Sequence, residues 1–160
     1  MKEVLIDTSE DHVAVVVAEG LIVKLFAKTL TKKYGNPIHM KDLELGERFS
    51  VIRTFDQIFY EKGFTGKAIE LYSINVNIND AGFWNSLVKE FIRRRIETIN
   101  ADYEVLYRLK KFVNALLLRQ LTIYLLKETL QLADIVAYGN SHHDLVKNIW
   151  KNTPIQRGRV

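Results

Sequence analysis

The stretch VLIDTSEDHVAVVVA, residues 4–18, decides the class of fold. Residues 4–7 and 12–18 are rich in β-branched side chains and flank a polar segment, residues 8–11, which predicts a β-hairpin. A helix that begins at Ser9, with Ser9 as its N-cap, is the alternative. We favour the hairpin because a run of valines and alanines suits a buried strand better than a helix.

The rest of the first half mixes helix and strand signals. Apolar spacing predicts a helix over residues 20–34, which Gly35 and the later Pro37 end. Residues 49–55 are predicted as a strand and residues 56–62 as a short helix. Residues 67–79 alternate apolar and small polar side chains, the period of a strand with one face in the core.

The second half is predicted to be helical. One helix follows Asp80, its N-cap, to about residue 99, and a second pattern runs over residues 102–138. The apolar positions of this second pattern include one charged residue, Arg119. A straight helix of this length would span about 55 Å, so we expect a bend, and a role as the core or as half of a subunit interface.

These patterns predict an α+β protein, with a small, mostly antiparallel sheet from the N-terminal half packed on a helical C-terminal half that has one long central helix. Residues 1–150 form a single domain in this prediction, and residues 151–160 form a basic, flexible tail. The sequence has no cysteine, which excludes disulfides and cysteine-ligated metal centres. We expect a cytoplasmic protein without a membrane span, since no apolar tract reaches about 20 residues.

Charge is divided unevenly along the chain. Residues 1–80 carry ten Lys and Arg against twelve Asp and Glu, and residues 81–160 carry thirteen against seven. A basic, helix-rich half attracts phosphate backbones, so our first hypothesis is a nucleic-acid-binding protein. Helix-surface ion pairs are the alternative, because Glu90 precedes Arg94 by four positions and Glu97 follows Arg93 by four. The cations expected to contact nucleic acid are Arg93, Arg94, Arg95, Lys110, Lys111, Arg119, Arg157 and Arg159.

No glycine-rich phosphate loop, nucleophile elbow or zinc-ligand spacing is present in the sequence. The candidate catalytic residues are three carboxylates: Asp7 and Asp80, each at the end of a predicted strand, and Glu90 on the next helix. If they converge, they can hold Mg²⁺ or Mn²⁺ for phosphodiester cleavage, since hard divalent cations take carboxylate oxygens. The other interpretation is a turn residue at Asp7 and a helix cap at Asp80.

Residues 4–9 resemble the first strand and acid of PIN-domain nucleases, which place an Asp after an apolar strand and follow it with Thr or Ser. The resemblance implies that acids further along the chain complete a metal site, and Asp134 is a possible counterpart of one of them. The resemblance covers about six residues, and no apolar strand follows Asp134 where that family's parallel sheet needs one. We therefore do not assign the chain to that family.

A second hypothesis comes from a different class of function. The long apolar helix predicts a structural or assembly protein that forms a homodimer, because a single domain of 160 residues does not cover every side of so long a helix. Binding to DNA or RNA that weakens with added salt would favour the first hypothesis over this one.

Overall fold

The computed structural model describes residues 1–62 and 68–160. Six strands in these residues form one sheet, whose order is given by strand number as 5-4-1-2-3-6. The strands are β1 (Lys2–Ser9), β2 (His12–Glu19), β3 (Ile69–Asn75), β4 (Thr98–Ala101), β5 (Thr122–Tyr124) and β6 (Ile155–Arg157).

The sheet is mixed. β2 pairs antiparallel with β1 and with β3, whereas the pairs β1–β4, β4–β5 and β3–β6 are parallel. Among the described strands only β2 therefore runs in the opposite direction. The C-terminal ends of the other five meet at one end of the sheet, which we call the carboxyl edge.

Helices cover both faces of the sheet. They are α1 (Gly20–Tyr34), α2 (Leu45–Lys62), α3 (Ala81–Arg93), α4 (Tyr103–Phe112), α5 (Ala115–Leu118), α6 (Lys127–Ser141) and α7 (His143–Val146). Side chains alternate along each strand, so Leu5 and Val16 pack under α1, α2 and α6, while Val4 and Val15 pack under α3 and α4. Each face thus has its own apolar core.

Helix α6 occupies the centre of one of these cores. It packs on β1 and β2 and is covered on its outer side by α1 and α2. Every residue from 129 to 140 is buried except Asp134, which is partly exposed. The one position where this stretch reaches solvent is therefore a carboxylate.

The α+β class, the β1–β2 hairpin, the α1 helix and its Gly35 end are confirmed. Gly35 has φ 86°, the left-handed conformation that suits glycine at a helix end. The N-cap role of Asp80 is confirmed as well, because its side chain accepts hydrogen bonds from the first turn of α3.

The prediction of one continuous helix over residues 102–138 is corrected. The backbone becomes extended at Val113, Asn114 caps the short α5, and residues 122–124 form β5 against β4. Arg119 is the exposed C-cap of α5 and does not belong to a buried helical stripe. Apolar residues are dense in this part of the chain, so some of them lie three or four positions apart whatever the structure is. Their spacing therefore fits several short elements as well as one long helix.

The argument for a homodimer depended on that helix. Its longest surviving helix, α6, is buried inside the protein, so that helix presents no broad uncovered face. The homodimer and the cytoplasmic location stay predictions. No helix in the described ranges is long and apolar enough to cross a membrane.

The predicted strand over residues 49–55 is wrong, and one helix boundary also differs from the prediction. Residues 49–62 lie within one helix, α2, because Val51, Ile52, Phe55 and Phe59 form a buried helical stripe. Helix α3 ends at Arg93 and not near residue 99, since Arg95 takes a left-handed φ of 59° and β4 begins three residues later. The start of the predicted strand 67–79, Lys67, lies outside the described residues.

The C-terminal segment is bound to the body of the protein. The buried Asp56 carboxylate accepts hydrogen bonds from the backbone N–H groups of Asn152 (2.8 Å) and Thr153 (2.9 Å) and from the Thr153 hydroxyl (2.6 Å). The ring of Trp150 lies against Gly139, where an added Cβ would stand 2.0 Å from Trp150 Cη2. The segment predicted as a tail therefore contains anchored residues and the edge strand β6.

Candidate active site

Strands β1 and β4 end side by side at the carboxyl edge. Their parallel register pairs Ile6 with Ala101, so the residues that follow, Asp7 and Asp102, come to the same level. Crevices outside the carboxyl ends of neighbouring parallel strands are common ligand sites in sheets flanked by helices. Two carboxylates thus stand where the fold favours binding.

Both strands direct side chains at this end toward α6. Asp7 lies two positions after Leu5, which packs on the α6 face, and strand alternation returns it to that face. On β4, Asn100 faces the same way and donates a hydrogen bond to Thr129 Oγ1 of α6 at 2.7 Å. The start of α6 is therefore held against β4, next to Asp102.

Asp134 brings a third carboxylate to the same place. Its Oδ2 accepts a hydrogen bond from the backbone N–H of Met40 at 2.7 Å, and its Oδ1 lies 3.2 Å from His39 Nδ1. These contacts attach a 3₁₀ turn, Met40–Asp42, to α6. The segment before α2 consequently forms one wall of a cleft.

The cleft has a volume of about 400 Å³. Its walls are the ends of β1 and β4, the segment 37–42 and the first half of α6. Its acidic and basic lining residues are Asp7, His39, Asp42, Asp102, Lys127 and Asp134. We call this space the carboxylate cleft.

The pKa of Asp7 is raised well above its ordinary range. Burial is the largest cause, because Asp7 is only 6% exposed, and the nearby Asp134 and Asp102 carboxylates raise the pKa further. A hydrogen bond with Asp102 adds to this, while the Thr8 backbone N–H, 2.8 Å from Asp7 Oδ1, acts in the opposite direction. Ionised Asp7 is therefore costly, and a bound cation would relieve that cost.

Among the described residues, no Lys or Arg forms an ion pair with any of these three carboxylates. In the same part of the chain, no group of three His, Asp or Glu side chains has the spacing of a preformed metal site. Metal binding in the carboxylate cleft therefore requires these side chains to rearrange, and it competes with proton binding at Asp7, whose pKa is raised.

Comparison with known protein families, with curated proteins and with solved structures finds no match to this chain.

Two of the acids predicted from the sequence lie elsewhere. Asp80 Oδ1 accepts hydrogen bonds from the backbone N–H groups of Gly82 (2.9 Å) and Phe83 (3.3 Å), as an N-cap does. The Arg93 guanidinium binds Glu90 and lowers the pKa of that carboxyl group. Both belong to α3, which packs on the opposite face of the sheet from α6, so they do not join Asp7.

Arg93, Arg94 and Arg95, which we call the α3 arginine cluster, lie before the N-terminal end of β4, away from the carboxyl edge. Arg94 is largely buried and bound to Glu70 at 2.5 Å, with its side chain 20% exposed. Burial alone would raise the pKa of Glu70, but hydrogen bonds from Tyr72 and Arg94 lower it below its ordinary value. The first two cations of the cluster thus have acid partners.

The other predicted cations are dispersed. Lys110 and Lys111 lie in the last turn of α4, about 12 Å along the helix from Asp102. Arg157, on the edge strand β6, donates to His143 Nδ1 at 2.7 Å, and Arg159 lines a separate pocket beside α3. Lys110, Lys111 and Arg157 therefore lie on different elements from the α3 arginine cluster, and a common nucleic-acid surface for all eight cations stays a prediction.

The sequence prediction missed Asp102. Its signal is weaker than that of Asp7, because only Thr98 and Ile99 of the four residues before it are β-branched. The assumed helix over residues 102–138 assigned Asp102 to a helix start, and its side chain does accept from the Val105 N–H of α4 at 2.9 Å. Asp134 was noted only through the resemblance to PIN-domain nucleases.

Proposed function

We propose that this protein is a metal-dependent nuclease whose Asp7, Asp102 and Asp134 carboxylates hold Mg²⁺ or Mn²⁺. The observation that supports this most directly is the environment of Asp7. The buried Asp7 carboxyl group lies close to Asp102, at the end of the neighbouring parallel strand, and to Asp134 of α6, and no Lys or Arg among the described residues pairs with it. Strongly perturbed carboxyl groups in a cleft are typical of functional sites. Asp102 and Asp134 replace Asp80 and Glu90 in this proposal.

The donor set fits the proposed metals. Carboxylate oxygens are the ligands that Mg²⁺ and Mn²⁺ prefer, and the cleft has no sulfur ligand that would favour a softer metal. When bound, such an ion supplies a water of lowered pKa and neutralises charge that develops on phosphoryl oxygens. In the overall reaction water adds to phosphorus and one ester bond breaks, which leaves a phosphate monoester and a free hydroxyl group.

The protein orients two of the three carboxylates through its backbone. The Val105 N–H holds Asp102 at the start of α4, and the Met40 N–H holds Asp134 on α6. Such supporting hydrogen bonds keep metal ligands in position, so that binding does not have to order them. Asp7 differs, because its raised pKa makes proton binding compete with metal binding.

The rim of the cleft supports a nucleic-acid substrate. Lys127 supplies a cation for a phosphate group, and Tyr103, 75% exposed, presents an aromatic ring on which a base can stack. Both side chains lie beside the carboxylates, at the start of α6 and of α4.

The test is cleavage of labelled DNA and RNA, single- and double-stranded, with Mg²⁺ or Mn²⁺ and with EDTA. We expect Asp7→Asn, Asp102→Asn and Asp134→Asn each to lower the rate about 100-fold or more, because each removes charge that the metal needs. Asp80→Asn, which preserves the α3 cap, and Glu90→Gln are matched controls and should cleave at the wild-type rate. Wild-type cleavage by Asp7→Asn, or cleavage that persists in EDTA, would contradict the proposal.

A further inference from the structure

Helix α1 carries a row of lysines on its solvent face. Lys24, Lys28 and Lys32 follow each other at four-residue intervals, and all three are exposed. None forms an ion pair with an acid in the described residues. On a helix these positions span an arc of about 80°, opposite the side that buries Val23 and Phe26. We call this set the α1 lysine row.

One end of the row adjoins the carboxylate cleft. Gln131 of α6 donates to Thr31 Oγ1 at 3.3 Å and accepts from the Ile38 N–H at 3.2 Å. Both Gln131 and Ile38 line the cleft. Thr31 therefore contacts the cleft wall, and Lys32 is the next residue along α1. Lys28 and Lys24 lie about 6 and 12 Å further along the helix.

The length and charge of the row fit a polyanion. A row of cations about 12 Å long spans several phosphates, because each strand of a duplex presents one phosphate per about 3.4 Å. Unpaired lysines gain from such contact through release of condensed counterions, whereas lysines already bound to carboxylates gain less.

We infer that the α1 lysine row binds the sugar–phosphate backbone of a nucleic-acid strand that leads into the carboxylate cleft. The choice of nucleic acid as the polyanion rests on the proposed function. Leu21 and Leu25 are exposed on the same face, which makes an anionic membrane surface the competing partner. Nucleic acid is favoured because the row ends at the cleft and because two leucines offer little apolar surface for insertion into lipid.

The test compares two variants that each remove three cations. Lys24→Gln, Lys28→Gln and Lys32→Gln together remove the row, and Lys89→Gln, Lys147→Gln and Lys151→Gln together, three exposed lysines on other parts of the chain, are the matched control. Fluorescence anisotropy with a single-stranded oligonucleotide in EDTA measures Kd between about 50 and 200 mM salt. We expect the row variant to bind about tenfold more weakly, with a slope of log Kd against log salt lower by about 2. The control should bind within about twofold of wild type.

An unchanged Kd and salt slope in the row variant would overturn the inference. A second contradictory result is a row variant that binds the oligonucleotide as tightly as the wild-type protein but no longer binds phosphatidylserine vesicles. That result would identify a membrane as the partner of the row. Because this assay contains no divalent cation, its result is independent of cleavage. Lost cleavage in Asp7→Asn with normal binding by the row variant would reject the lysine row alone. Lost binding by the row variant with normal cleavage by Asp7→Asn would reject the carboxylate cleft as the metal site and leave the lysine row standing.

Discussion

The carboxylate cleft and the α3 arginine cluster both concentrate like charges, but they balance them differently. Arg93 is bound to Glu90, three positions earlier on the same helix, and Arg94 reaches Glu70 on β3. In the cleft the carboxylates meet one another, and no Lys or Arg pairs with them in the part of the chain that the structure describes. A region with internal partners is satisfied without a ligand, whereas a region of facing carboxylates gains from one.

The difference also shows the limit of counting charge by halves of the chain. The second half has the net positive charge, yet two of its three adjacent arginines are held by acids. The first half has a net negative charge, yet it contains the α1 lysine row, which forms no ion pair with an acid in the described residues. Folding, and not the local count, decides which charges remain available to a partner.

The largest expected effect that separates the two regions is stabilisation by metal. At about 100 times its Kd, Mn²⁺ should stabilise the folded protein by about 2.7 kcal/mol, which raises Tm by about 5–10 °C in a chain of this size. Asp102→Asn should lose this rise and Glu90→Gln should keep it, as differential scanning fluorimetry at pH 7.5 can measure. An equal rise in both variants would place the metal outside the carboxylate cleft.

A smaller effect should distinguish the members of the α3 arginine cluster. Arg94→Ala leaves the largely buried Glu70 without its closest cation, and we expect it to lower the free energy of unfolding by about 1–2 kcal/mol. Arg93→Ala removes an exposed ion pair and should change stability little. Urea denaturation at pH 7 measures both. The Arg94 effect should shrink at pH 3, because a lowered Glu70 pKa contributes stability that is lost as the pH falls through it. Equal decreases in the free energy of unfolding of Arg93→Ala and Arg94→Ala would show that burial does not determine how much each ion pair stabilises the protein.

The smallest effect concerns the pH dependence of stability. The folded-state pKa of Asp7 is raised, so its favourable contribution is present below the unfolded pKa of about 3.9 and is lost as the pH rises through the folded value. Asp7→Asn cannot ionise and escapes this loss. In EDTA, the variant should therefore exceed wild type in free energy of unfolding at pH 8 and approach it at pH 4. A difference that is the same at both pH values would mean that Asp7 ionises without penalty.

Much of the fold was predictable where the signal is local. The valines of residues 12–18 indicated β2, Gly35 indicated the end of α1, and Asp80 indicated the start of α3. Strands β5 and β6 were not predictable, because three residues carry no periodicity and each exists through pairing with a distant strand. Sequence patterns report local preference, and these two strands depend on tertiary partners.

The candidate site divides in the same way. Asp7 was identified because it ends a clear strand. Asp102 was missed because the dense apolar spacing after it suggested one long helix, which hid β5 and the separate α6. Convergence with Asp134 depends on how α6 crosses the sheet, and no spacing along the chain encodes that crossing. The resemblance to PIN-domain nucleases linked Asp7 with Asp134, but it did not include Asp102.

The outer strands of the sheet have a consequence for how the protein meets other chains. β5 and β6 have three residues each, whereas β1 and β2 have eight. Short border strands expose few free backbone N–H and C=O groups, so they are poor templates for an added strand. Protein copies at high concentration are thereby protected from joining edge to edge into fibrils. A partner of this protein must be recognised through side chains, since its borders leave little room for backbone pairing.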